Sequence, residues 1–203
     1  MGYIKKNIRQ LSKASGGKRL ARKQAEDWFE TSKKKMNEKS VVKTTSRFLP
    51  GKIYVFRYDD PKYKDKLEWW DMNPVVLALN SAESNDLGIN LNLLPIGVKE
   101  ELLDFVYDRL QSSIKNQTMG VKSSNAAAQG YVSLTYDGAK SFLGRFGFDF
   151  AIRQYIPNRK SNQATIAYEN WPEIALCDFI DLNGATIGSI KWRFRNHLKK
   201  KNI

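Results

Sequence analysis

The sequence predicts an α+β protein, with a small SH3-like antiparallel β-barrel core, helices packed on it and a basic N-terminal helix ahead of it. Three observations predict this. Between Pro50 and Pro95, segments of strand length alternate or run apolar, separated by Pro, Gly, Asn and Asp. Residues 98–115 carry apolar side chains at helical spacing, and the basic stretch before Pro50 has helix-forming composition. With 203 residues, 41% of them hydrophobic, the chain can bury one sizeable core. The expected divisions are a basic arm and amphipathic helix over 1–48, a globular domain over 49–187 and a basic tail over 188–203.

Residues 1–15 are expected to be flexible when unbound, as chain ends commonly are. Ser15-Gly16-Gly17 then punctuates the chain, and Ala21, Ala25, Trp28, Phe29 and Met36 recur near helical spacing from Gly16 to Lys39. That stripe is narrow. Lys18, Arg22, Lys33 and Lys34 lie off it, which gives a helix with a docking corner at Trp28-Phe29 and a basic outer flank.

After Pro50-Gly51, Ile53, Val55 and Arg57 alternate with Tyr54, Phe56 and Tyr58. Asp59-Asp60-Pro61 ends that strand, and Lys62 to Asp71 reads as a long loop. Pro74 to Leu79 reads as a buried strand, and Gly88 to Pro95 alternates again. In 98–115, Val98, Leu102, Phe105, Val106 and Leu110 form the inner stripe, with Glu100, Glu101 and Asp104 in the first turns. Asn116 to Gln129 reads as a connection, and Thr135 is positioned to cap a helix ending at Leu143, with Ala139, Phe142 and Leu143 inward. Beyond it, aromatics crowd between Phe146 and Tyr168, Trp171 to Leu176 is apolar, and Ile187 to Leu198 reads as a closing element.

Composition excludes several classes of function. No stretch approaches the ~18 apolar residues of a membrane span, and MGYIKKNIRQ continues into charge rather than an export signal, so a soluble chain is expected. Lys6 stands where an N-myristoylation signal requires Ser or Thr. Cys177 and His197 are the single Cys and the single His, so no internal disulfide, Cys/His zinc site or metal is expected. Cys177 reads as a buried inert thiol and His197 as a solvent- or phosphate-facing side chain. Asp59-Asp60 and Asp178/Asp181 read as turns or solvated edges rather than magnesium ligands, and Gly16-Gly17-Lys18-Arg19 lacks the frame of a phosphate loop. No enzyme and no cofactor is expected.

The charge points to an anionic partner. Of the formal +13, residues 1–45 hold +9 and residues 188–203 hold +6, while 46–187 sum to −2. Charge gathered at the two ends suits a polyphosphate, since bases that neutralise phosphates release counterions and bind without reading sequence. The candidate DNA-binding residues are Lys18, Arg19, Arg22, Lys23, Lys33 and Lys34 in the first cluster and Lys191, Arg193, Arg195, Lys199 and Lys200 in the second. Trp192 is a candidate for stacking on an unpaired terminal base, with ordinary core packing the alternative. Trp69-Trp70 reads as packing or partner contact.

Four segments carry a family resemblance: Pro50-Gly51-Lys52-Ile53-Tyr54-Val55-Phe56, Tyr58-Asp59-Asp60-Pro61-Lys62, Trp69-Trp70-Asp71-Met72-Asn73-Pro74-Val75-Val76 and Gly88-Ile89-Asn90-Leu91-Asn92-Leu93-Leu94-Pro95. In this order, with Trp171-x-x-x-Ala175 and a basic terminus after them, they resemble the DNA end-protector proteins of T-even-type tailed phages. Departures are the inserted Asp60, Trp69-Trp70 in place of a tyrosine pair, and Leu93 at a usually aromatic position. The resemblance implies a non-enzymatic minor virion protein that caps the ends of linear double-stranded DNA. It also implies passage into the host cytoplasm with the genome and shielding of the ends from host exonuclease there. Its partners would be DNA ends and the portal, neck or tail proteins around them, with no membrane. The rival reading is a structural subunit of the neck, tail or baseplate whose basic ends contact neighbours or DNA.

Overall fold

The computed structural model describes residues 2–37, 47–59, 71–80, 85–118 and 134–178. Expectations for the stretch from Lys62 to Trp70, for most of the connection before Leu134 and for Ile187 to Leu198 fall outside them.

Alternation organises the sheet. In β1 (Ile53–Tyr58), Ile53 and Val55 face one side while Tyr54, Phe56 and Tyr58 face the other, and both sides are covered. With β2 (Val75–Ala78), β3 (Asp86–Asn90), β4 (Ile152–Tyr155) and β5 (Lys160–Ile166), it forms a five-stranded antiparallel sheet in the order β4-β3-β2-β1-β5. Ile53 lies opposite Leu77 and Ile166, and Ile89 opposite Leu77 and Ile152, so one register brings these apolar side chains onto the same face. Gly88 is dictated by close approach: a Cβ there would lie 2.2 Å from Val76 Cγ1.

The sheet curls but does not close. β1 and β4 are separated by two strands, which in a flat sheet would hold them ~14 Å apart. Phe56 and Tyr58 nevertheless each meet the Tyr155 ring edge-on at 5.2 Å. The closed SH3-like barrel expected from sequence is therefore corrected to an open, curled sheet with β4 and β5 as its edges. The cause is local. Pro157 opens a 3-10 turn (Pro157–Arg159) straight after β4, and the Ile156 N–H donates to the Tyr58 hydroxyl (3.3 Å) instead of to a strand. Side chains fill the seam: Lys160, first residue of β5, donates to Asp86, first residue of β3, at 2.5 Å. Asp86 also accepts from Arg47 Nε (3.0 Å) and from the Phe48 N–H (2.9 Å). Burial pulls the Lys160 amine below its usual range, while its hydrogen bond to Asp86 opposes the fall.

Among the described residues, five helices lie on the face that Ile53 and Val55 share: α1 (Tyr3–Ala14), α2 (Lys18–Asn37), α3 (Ile96–Thr118), α4 (Tyr136–Phe146) and α5 (Trp171–Leu176). α2, α3 and α4 follow the sequence expectation, down to the Thr135 hydroxyl accepting from the Gly138 N–H (3.2 Å). Phe29 is buried and Trp28 packs beside it, so the expected docking corner meets the protein's own core. Cys177 is buried, and desolvation pushes its thiol up to about 12.

Residues 3–14, expected to be flexible, are helical. Ile4 and Ile8 are buried, Leu11 packs on the core, and Tyr3 stacks on Tyr107 at 3.9 Å between ring centroids. α1 has no side-chain cap of its own. Asp104 of α3 supplies one, accepting from the Ile4 N–H at 2.6 Å and more weakly from the Lys5 N–H at 3.4 Å. Gly16 (φ 78°) and Gly17 (φ 140°) then reverse the chain into α2.

Candidate nucleic-acid interface

The basic residues of the helical layer divide by what they touch. Lys18 faces Glu100 (3.6 Å), and Lys33, half-buried, faces Glu30 (3.2 Å). Arg22 is held on two sides, by Glu26 (3.1 Å) and by Asp178. The Asp178 N–H is also close to Glu26 (3.4 Å), so Arg22 and Glu26 together tie α2 to the segment that follows α5. Arg19, Lys23 and Lys34 are exposed and form no ion pair among the described residues. With Lys35, which is likewise exposed and forms no ion pair among the described residues, those three present the uncompensated charge of α2 to solvent. Lys191, Trp192, Arg193, Arg195, Lys199 and Lys200 lie outside the described residues.

Sequence reading passed over α1 as a source of binding residues. Ile4, Ile8 and Leu11 fix its inner face, which turns Lys6, Arg9 and Lys13 outward. All three are exposed and without an ion pair among the described residues. Lys5 differs: its ammonium donates to Glu101 at 2.7 Å, and that bond raises its pKa. The signal was present in the sequence as apolar residues at i, i+4 and i+7, and the terminal position and Gly16-Gly17 obscured it.

Buried polar groups elsewhere serve the fold. Asp71 accepts from the Asn73 N–H (3.0 Å), Asn90 Nδ2 (3.3 Å) and Asn92 Nδ2 (2.5 Å), and burial raises its carboxyl to about 6 despite them. This network ties the residues entering β2 to the end of β3. Lys99 is fully buried and donates to the Cys177 carbonyl at the C-terminus of α5, and desolvation lowers its amine to about 7. Among the described residues, no group of three or more His, Cys, Asp and Glu side chains is placed to hold a metal ion. No helix among them is long and apolar enough to cross a membrane.

The arrangement can engage an extended anion through exposed bases on a docked helical layer. Comparison with curated proteins and with solved structures gave no match. A family model described as Phage T4 terminal DNA protecting protein matches residues 2–183, which takes in both basic helices and the sheet and stops short of Lys191. A match over about nine-tenths of the chain places the protein in that phage DNA-protecting family.

Proposed function

We propose that the protein binds the ends of linear genomic double-stranded DNA and shields them from host exonuclease, by occupancy and without catalysis. It would do so as a virion component that accompanies the genome into the host cytoplasm. One observation carries this reading: in a chain of a DNA-protecting family, α1 and α2 present exposed, unpaired bases from helices anchored in the core. Phosphate contacts of this kind give affinity and position without sequence readout. Arg19, Lys23 and Lys34 are the phosphate ligands on α2, and Lys191, Arg193, Arg195, Lys199 and Lys200 add to them from the second basic cluster. Trp192 stacks on a terminal base. Arg22 is assigned a structural part, because its charge is already matched by two carboxylates.

Exonuclease digestion of one linear fragment, at protein concentrations too low to coat its length, tests the reading. Protection at about one assembly per end is expected, with the closed circle of the same sequence competing poorly. Protection only at coating stoichiometry, with circles competing equally, would overturn end recognition.

A further inference from the structure

We infer that the outer face of α1 is the rigid part of the DNA grip, with Lys6, Arg9 and Lys13 contacting consecutive phosphates of one strand; this rests on the DNA reading above. α1 carries four bases and no acid, and Glu101 takes up one of them, Lys5. The remaining three fall at i, i+3 and i+7. They therefore lie within one side of the helix, in a stripe about 10 Å long at 1.5 Å per residue. A duplex strand advances ~3.4 Å along its axis per phosphate, so the stripe is long enough to meet about three.

The stripe is also fixed in direction. Ile4 and Ile8 are buried opposite it, Asp104 holds the first turn, and Tyr3 stacks on Tyr107. Ordering cost on binding is small for a surface already set. α2 keeps four unpaired bases, Arg19, Lys23, Lys34 and Lys35, but it is the less uniform platform, because Glu26, Asp27 and Glu30 divide them into two groups and Lys18, Arg22 and Lys33 already face carboxylates. The same face of a second copy is a poor occupant, since like charges would meet.

The experiment measures binding of the full chain to a linear duplex between 50 and 200 mM salt. It compares wild type with Lys6→Gln/Arg9→Gln/Lys13→Gln and with Arg19→Gln/Lys23→Gln/Lys34→Gln, all checked for folding by circular dichroism. Loss of three contacts should reduce the slope of log K against log salt by ~2.7, so affinity changes roughly 40-fold less across that range. The α1 variant should lose at least as much slope as the α2 variant, and Lys6→Arg/Arg9→Lys/Lys13→Arg should restore it. An α1 variant that keeps the wild-type slope overturns the inference while leaving DNA binding in place. The same unchanged slope with lost binding to poly-glutamate would assign the face to an acidic protein instead. Wild-type protein that binds no DNA would overturn both readings, whereas salt-dependent binding without end preference would remove only end capping.

Discussion

Asp104 is the residue on which the basic face of α1 depends, and replacing it separates docking from charge. Its carboxylate accepts from the Ile4 N–H at 2.6 Å, is buried, and stands at the N-terminal end of a helix that has no other side-chain cap. A hydrogen bond to a charged group contributes ~1.5–3 kcal/mol, and a carboxylate at a helix N-terminus adds ~0.3–1 kcal/mol. The Lys5 contact at 3.4 Å is too long to add much. Asp104→Ala should therefore weaken the docking of α1 by about 2–3 kcal/mol, which is roughly 30- to 150-fold in the opening equilibrium. Asp104→Asn keeps an acceptor and loses the charge, so about 1 kcal/mol is expected. Native-state hydrogen exchange reads this directly: the amides of Lys6, Asn7 and Ile8 should exchange faster by those factors, while those of α3 and β2 change little. The salt slope for DNA should fall in the same order, although no base is removed. Unchanged exchange of the α1 amides in Asp104→Ala would refute the reasoning, because α1 would then be docked without its cap.

Three further outcomes follow from buried groups. Lys99 binds its proton more weakly folded (about 7) than unfolded (10.5), so between those values the unfolded chain holds more protons and stability rises with pH. That displacement corresponds to roughly 5 kcal/mol, so Lys99→Met should be more stable than wild type at pH 6 and lose the advantage by pH 10; parallel denaturant-derived stability curves would contradict this. Asp71 has the opposite sign, its carboxyl being raised from 3.8 to about 6: the associated stability is present below pH 4 and lost as pH rises through 6. Stability of Asp71→Asn should lack that fall, and the same denaturation series between pH 4 and 7 measures it. Gly88→Ala places a methyl 2.2 Å from Val76 Cγ1 and should cost about 1–3 kcal/mol, partly recovered by adding Val76→Ala; additive losses in the double variant would rule out the contact.

The sequence by itself determined the elements whose signals are local. The stripes of α2 and α3, the Thr135 cap and the two-faced alternation of β1 are periodicities or short-range hydrogen bonds, so each was legible within a dozen residues. So were the buried Cys177 and the gathering of charge at the two ends. β4 and β5 were not legible: IRQY and KSNQATI are short and largely polar, and they become strands because β3 and β1 offer them a ladder. α1 depended on a cap 100 positions away, and the compensation of Arg22 depended in part on Asp178, from the segment after α5. The opening of the sheet was settled by Tyr58, Tyr155 and the Asp86–Lys160 pair meeting at the seam. Charge composition told what class of partner to expect, but a base beside a carboxylate offers phosphate less net charge than an unpaired one. Arg22–Glu26 and Lys33–Glu30 are pairs within α2 and follow from helical spacing, but Lys5–Glu101, Lys18–Glu100 and Arg22–Asp178 are set by which elements pack together, and those only the tertiary structure decided.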